Sequence, residues 1–293
     1  MKPRALGLVA LLACGMGQPA AVATSPAHLV VIVLENRSYA TVSSNYGDIP
    51  FLQSFERGGL RFTNYHEGDT TGPSLPDYLG LAAGSTCGSV DDRVIAGQFG
   101  AAQGCRTTVW NQLEGAGTSW AVYMDAMPGP CSSKVSYSNV AKDTPYVMKH
   151  NPAVPFASVW GSSVCSEHVL PGVPDAGSLP QVSFAVPGVC DDLHGSSSTR
   201  WTDCASGSAG LYHRANDWLS AVVPPLIKAG DTVLIIFDEA GTLYAVEQGP
   251  GIAAGTTDGA AYTHYSVLAA IEDAYGLTRL NEAADATPIP LGG

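Results

Sequence analysis

Charge is scarce in this chain. Of its 293 residues only 14% are charged, with 14 Lys or Arg against 26 Asp or Glu. The resulting formal net charge of −12 argues against nucleic acid or an anionic membrane as a partner held by bulk electrostatics. Cys-x-x-Cys spacing is absent, which removes the common thiolate metal centres. Internal repeats and long linkers are also missing, so residues 24–293 are expected to form a single domain. Past the N-terminal leader, no apolar run approaches membrane-spanning length. The chain has instead 45% hydrophobic residues, 33 Gly and 20 Pro. That suffices for one large core and suits a loop-rich exported protein.

The N-terminus reads as a targeting segment. Lys2 and Arg4 precede the apolar run Ala5 to Ala13, and Ala21-Val22-Ala23 offers a small-residue cleavage site before Thr24. Residues 1–23 are therefore expected to be a signal peptide, and the mature chain secreted or periplasmic. A competing reading takes Leu11-Leu12-Ala13-Cys14-Gly15 as a lipobox that anchors the chain through Cys14. Of seven cysteines, setting Cys14 aside leaves an even six, which in an exported chain implies disulfides. Six cysteines allow fifteen pairings. Nearest-neighbour pairing (87–105, 131–165, 190–204) is expected, because each bridge closes a local loop.

Apolar, β-branched runs predict strands over Leu29–Leu34, Leu60–Tyr65, Ser119–Met124, Val182–Val186 and Thr232–Phe237. Helices are predicted over Pro50–Arg57, Ser74–Ala83, Thr107–Ala116, Gly210–Val222 and Tyr265–Tyr275. Strands alternating with helices imply βαβ units, hence a three-layer α/β/α sandwich around a mostly parallel sheet. The Gly/Ser/Pro-rich stretches 128–138, 161–178 and 195–210 read as long loops over one edge, stapled by cysteine.

Two of the strands end in the same chemistry. Leu29–Leu34 runs straight into Glu35-Asn36, and Thr232–Phe237 into Asp238-Glu239. Ligands of parallel sheets bind at the carboxyl ends of strands, and hard oxygen donors gathered there point to a divalent metal ion. Each pair alone would read as a helix cap. The strand Val182–Val186 likewise delivers Asp191, Asp192 and His194, a loop in which acids and an imidazole can converge on a cation. An acidic protein that handles anions needs such a local positive source.

Ser74, in Gly72-Pro73-Ser74-Leu75-Pro76-Asp77-Tyr78, opens a helical pattern. A hydroxyl there meets the positive end of the helix dipole and free backbone N–H donors. It is the candidate nucleophile; an ordinary capping serine is the plain alternative, and Thr70 and Thr71 are further hydroxyls. Lys149 and His150 add cations able to bind a phosphoryl oxygen or protonate a leaving group. His264 opens the last helical pattern and is a candidate metal ligand or general acid.

These segments, together with Arg37-Ser38-Tyr39 and Tyr262-Thr263-His264-Tyr265-Ser266, occur in an order that resembles the phosphoesterase family. That family holds bacterial phospholipases C and acid phosphatases and looks like a branch of the alkaline-phosphatase-like superfamily. The resemblance covers roughly residues 28–280. It implies an α/β/α sandwich, one or two divalent metal ions held by Glu35, Asn36, Asp238 and Glu239, and a Ser74 phosphoenzyme. Two departures stand out: Gly72 and Asp77 replace the family's His and Asn around the nucleophile, and Gly195 replaces an Asp after His194. Ser74-Leu75-Pro76-Asp77-Tyr78 lacks the Arg that a sulfatase would need. The expectation is an exported phosphomonoesterase acting on a small phosphate ester. A phospholipase C-type diesterase acting on phospholipid, or a secreted non-catalytic binding protein on the same fold, stands as the alternative. The absence of an exposed apolar helix and of a long extension after the last motif favours the monoesterase.

Overall fold

Strand β1 (Leu29–Leu34) has every residue buried, as its unbroken apolar run requires. The computed structural model describes residues 25–68, 72–133, 145–197 and 200–292. The leader, Cys14, Thr70 and Thr71 lie outside them. β1 pairs in parallel with β5 (Val182–Val186) and β6 (Thr232–Phe237), which are equally buried. Beyond β5 come β3 (Trp120–Met124) and β4 (Val169–Pro171); beyond β6 come β7 (Ala245–Gln248), β2 (Leu60–Tyr65) and β8 (Thr256–Tyr262). The order is β4-β3-β5-β1-β6-β7-β2-β8, and β7 alone runs antiparallel.

The helices are α1 (Tyr39–Ser44), α2 (Pro50–Gly58), α3 (Ser74–Ala83), α4 (Val109–Ala116), α5 (Ser163–His168), α6 (Ala209–Ala229) and α7 (His264–Ala274). α2 packs on α6, while α3 packs on α7 and α4, so helices cover both faces of the sheet in a three-layer sandwich. All ten residues of α3 are buried, which fixes the position of its first turn. Among the described residues, seven of the eight strands point their carboxyl ends to one edge. Leu34 is in register with Phe237, so Glu35 and Asp238 leave neighbouring strands side by side.

The predicted central strands fall where expected; the departures lie at the periphery. β8 (Thr-Thr-Asp-Gly-Ala-Ala-Tyr) has poor strand formers because it is a mostly exposed edge strand that packs little. β7 is short and carries a buried Glu247. The stretch 161–178 is not all loop, since it holds α5 and edge strand β4. α6 runs seven residues past its predicted end, through Pro224 and Pro225. Both prolines are exposed, as are Ser220 and Ala221 four residues earlier, so the carbonyls that lose their partners face water. The three disulfides pair Cys87–Cys105, Cys131–Cys165 and Cys190–Cys204, the nearest-neighbour set.

Glu247 has a measurable consequence away from the sheet edge. Its Oε1 accepts the Gly292 N–H at 2.9 Å, while Oε2 has no partner among the described residues. Burial pushes its pKa from 4.5 up to about 7. The folded state therefore holds a proton that the unfolded chain releases. This stability is complete below pH 4.5, is lost as pH rises towards 7, and changes no further above it. Glu247→Gln should be near neutral at pH 5 and stabilise by about 2–3 kcal/mol at pH 8. Thermal melts of both proteins at the two pH values check this, and an unchanged pH dependence in the Gln variant would refute it.

Candidate active site

Glu35 stands at the centre of the carboxyl edge, fully buried. Its Oε1 accepts the Tyr78 hydroxyl at 2.7 Å, and its Oε2 accepts the Ser74 hydroxyl at 3.1 Å. Ser74 and Tyr78 lie four apart on α3 and so share a face. Ser74 Oγ also lies 3.3 Å from Glu239 Oε1, and Lys149 Nζ lies 3.4 Å from Ser74 Oγ. Ser74 is the first residue inside α3, not its cap. Pro73 holds the capping position and offers no side-chain hydrogen bond, so the expectation of an ordinary capping serine fails on position.

Asp238 faces Glu35 across the strand register. Its Oδ1 accepts the Asn36 N–H at 2.8 Å, and its Oδ2 has no partner among the described residues. Ligand oxygens of Glu35, Asp238 and Glu239 lie within 4.8 Å of one another, and so do a Glu35 oxygen and ring nitrogens of His150 and His194. The Asn36 side chain reaches Glu239 and accepts from Arg37, whose other nitrogen donates to Ser206 Oγ at 2.9 Å. Three non-glycine residues beside these groups have positive φ: Asn36 at +25°, Leu193 at +81° and Ala240 at +115°. Strain of about 1–3 kcal/mol at each sits at the carboxyl ends of β1, β5 and β6, where the candidate ligands emerge.

The electrostatics are those of crowded, dry carboxylates. Burial first, and then Asp192, pushes Glu35 up to about 8. Burial likewise raises Asp238 and Asp192 well above the carboxylate range, and Asp77 to about 9. Burial opposes the charge on Lys149, but Glu35 and Asp92 outweigh it and hold the ammonium above its ordinary value. His150 is stacked on Tyr78, with Nε2 3.2 Å from Glu35 and Nδ1 3.3 Å from Asp192. Burial, Lys149 and His194 keep it neutral. A neutral imidazole carries a lone pair on one nitrogen, which here faces a carboxylate. Neither nitrogen makes a hydrogen bond among the described residues. A cation among these oxygens and nitrogens would relieve both the repulsion and the orphaned atoms, so the donor set fits a divalent metal.

Not every predicted residue converges. Asp192 turns inward and accepts the His194 N–H at 2.7 Å. Asp191 turns away and pairs with Arg214 at 2.9 Å, which removes it from the candidate ligands. The imidazole of His264 is spent as well: Nδ1 meets the Tyr65 hydroxyl at 2.7 Å and Nε2 donates to the Asp238 carbonyl at 2.6 Å. Its place is structural, behind Asp238. His194 uses Nδ1 on the Gly195 carbonyl at 2.8 Å, leaving Nε2 turned to Lys149 at 3.5 Å.

The two glycine departures have steric causes. Gly72 has φ +73°, and a Cβ there would overlap Glu239 Oε2. Gly195 has φ +81°, and a Cβ there would press on the Ser206 backbone. Sequence reasoning assigned no role to Tyr78 or Asp92. Helical spacing from Ser74 was a usable signal for Tyr78. Asp92, which binds Lys149 Nζ at 2.8 Å, carries no local signal at all.

The phosphoesterase family matches residues 42–246. The chain belongs to the phosphoesterase family. This makes it a hydrolase of phosphoric esters. It is 27% identical to a phosphatidylinositol-3-phosphatase of Mycobacterium tuberculosis, over 98% of this chain and 93% of that protein. It is 28% identical to an acid phosphatase of Aspergillus fumigatus, over 76% of this chain; this phosphoesterase spans about half (49%) of the fungal enzyme. Among solved structures, a phosphonate monoester hydrolase from Silicibacter pomeroyi matches with TM-score 0.54 at 11% identity, covering 90% and 76% of the two chains. An alkaline phosphatase superfamily protein from Vibrio parahaemolyticus matches with TM-score 0.51 at 11% identity, covering 92% and 74%. These neighbours share the fold.

Proposed function

We propose that residues 24–293 form one exported, metal-dependent phosphomonoesterase domain of the acid phosphatase type, acting through a phosphoserine at Ser74. One observation carries the reading. The Ser74 hydroxyl lies at the amino end of a buried helix, between two strand-end carboxylates and the Lys149 ammonium. Export is supported by the leader sequence and the three disulfides. Among the described residues no helix is long and apolar enough to cross a membrane. The names of the phosphatase relatives support a monoester.

Glu35, Asn36, Asp238 and Glu239 would hold the cation, with His150 and His194 beside Glu35 for a second. The bound cation would supply Lewis-acid charge to the phosphoryl oxygens. Ser74 Oγ attacks phosphorus in line: the Oγ–P bond forms, the ester P–O bond breaks, and the serine proton passes to Glu35 Oε2. Lys149 binds a non-bridging oxygen as negative charge moves onto it. Lys149, whose ammonium also faces the lone pair of His194 Nε2, passes a proton to the leaving alkoxide. It then takes one from the water that cleaves the phosphoserine, and the Glu35 proton returns to Ser74 as inorganic phosphate leaves.

The test is hydrolysis of p-nitrophenyl phosphate and of bis-p-nitrophenyl phosphate across pH, after chelation and with divalent metals restored. The monoester should be the better substrate, and chelation should remove at least about 100-fold of the rate, recovered by metal. A full rate after exhaustive chelation would overturn the metal assignment. No turnover with any metal would leave a binding protein on a phosphoesterase fold.

A further inference from the structure

The stretch between Cys87 and Cys105 contains no catalytic motif, yet it places a carboxylate in the site. Asp92 Oδ2 binds Lys149 Nζ at 2.8 Å, in an ion pair whose side chains are 10% exposed for Lys149 and 29% for Asp92. Its other oxygen, Oδ1, accepts the Leu75 N–H at 3.2 Å. Leu75 is the second residue of α3, and Pro73 gives that helix no side-chain cap. The carboxylate thus supplies from a distant loop the acceptor that the helix lacks in its own sequence.

The loop is held by bonds that do not involve Asp92. The Cys87–Cys105 bridge closes it. Gly97 N–H donates to Val154 O at 3.0 Å, Phe99 N–H to Pro155 O at 2.9 Å, and Ala157 N–H to Phe99 O at 2.7 Å. Residues 154–157 follow directly on the turn that carries Lys149, a turn braced by Asn151 Oδ1 accepting two backbone N–H groups at 2.9 Å. Asp92 and Lys149 are therefore mounted on one braced block. Lys149 itself has a long, freely rotating stem, and Glu35, Asp238 and Glu239 all attract its ammonium. Asp92 binds that ammonium directly, with Nζ 3.4 Å from Ser74 Oγ and 3.5 Å from His194 Nε2.

We propose that Asp92 is a positioning residue for phosphoryl transfer: one carboxylate holds the Lys149 ammonium at the phosphoryl site and anchors the amino end of the helix that carries Ser74. This rests on the phosphatase reading above. The two halves of the role separate by substitution. Asp92→Asn keeps an oxygen for the Leu75 N–H but drops the charge on Lys149; Asp92→Ala removes both.

On the metal-loaded protein, Asp92→Asn should lower kcat/KM for p-nitrophenyl phosphate by about 10- to 100-fold, mostly in kcat, because Lys149 meets the most charge in the transition state. Melting temperature and metal content should stay at native values. In a Lys149→Ala background the same substitution should cost less than about threefold, since the partner it positions is gone. Asp92→Ala should add a loss of melting temperature to the kinetic effect. Calorimetric binding of inorganic phosphate gives a readout independent of turnover: Asp92→Asn should weaken it in the native background and leave it unchanged in Lys149→Ala. Native kcat in Asp92→Asn, or an equal loss with and without Lys149, would overturn the proposal. If the native protein turns over no phosphate ester, the functional reading fails separately. The phosphate-binding cycle then decides on Asp92 alone, with additive losses counting against it.

Discussion

Ser74→Ala is expected to lose at least about a thousandfold in turnover while melting at or slightly above the native temperature. The hydroxyl is asked to form the covalent intermediate. Structurally the change is mild. Ser74 lies inside the first turn of α3 rather than at its cap, Ala is the better helix former, and the lost contacts are those to two crowded carboxylates and to Lys149 Nζ. Glu35, Asp238 and Glu239 remain, so metal uptake should persist. Steady-state kinetics, melting and elemental analysis on the same preparation check all three statements. Retention of most activity on a phosphomonoester would remove Ser74 as nucleophile and direct attention to Thr70 and Thr71.

Asp238→Ala should abolish both metal retention and turnover, and its effect on stability should change sign with metal. Without metal, Asp238 is a buried acid pressed against Glu35 and Glu239. Removing it relieves repulsion and leaves the Asn36 N–H without its side-chain acceptor. The metal-free variant should therefore melt no lower than metal-free native protein. Added divalent metal should raise the native melting temperature, because a ligand that binds only the folded state stabilises it. The same addition should leave Asp238→Ala unmoved. Glu35→Ala should likewise lose metal retention and turnover, since β1 and β6 supply neighbouring sides of one site. A variant that keeps the metal-dependent melting shift would break the shared-site argument.

How much of this was legible depended on how local each signal is. The buried strands β1, β5 and β6 announced themselves as apolar runs because a strand covered on both faces has no polar alternation to confuse its reading. Glu35, Asn36, Asp238 and Glu239 were found for the same reason, as polar groups placed abruptly at the ends of those runs. The edge elements β4 and β8 were missed, since strands that pack on one side or not at all leave little mark on composition. Asp191 and Asp192 show the limit most clearly. They are adjacent and chemically identical, yet one faces His150 and the other pairs with Arg214.

By itself, then, the amino-acid order determined the central parallel sheet, the edge on which chemistry collects, the local pairing of cysteines and the family pattern of the motifs. Each of these follows from burial periodicity or from residues close along the chain. Only the tertiary structure decided which side chains meet. It brought Asp238 to the Asn36 backbone across 202 positions, spent His264 on Tyr65 and the Asp238 carbonyl, and carried Asp92 to Lys149. Such contacts are set by strand register, helix packing and loop closure acting together, and no single stretch of sequence contains them.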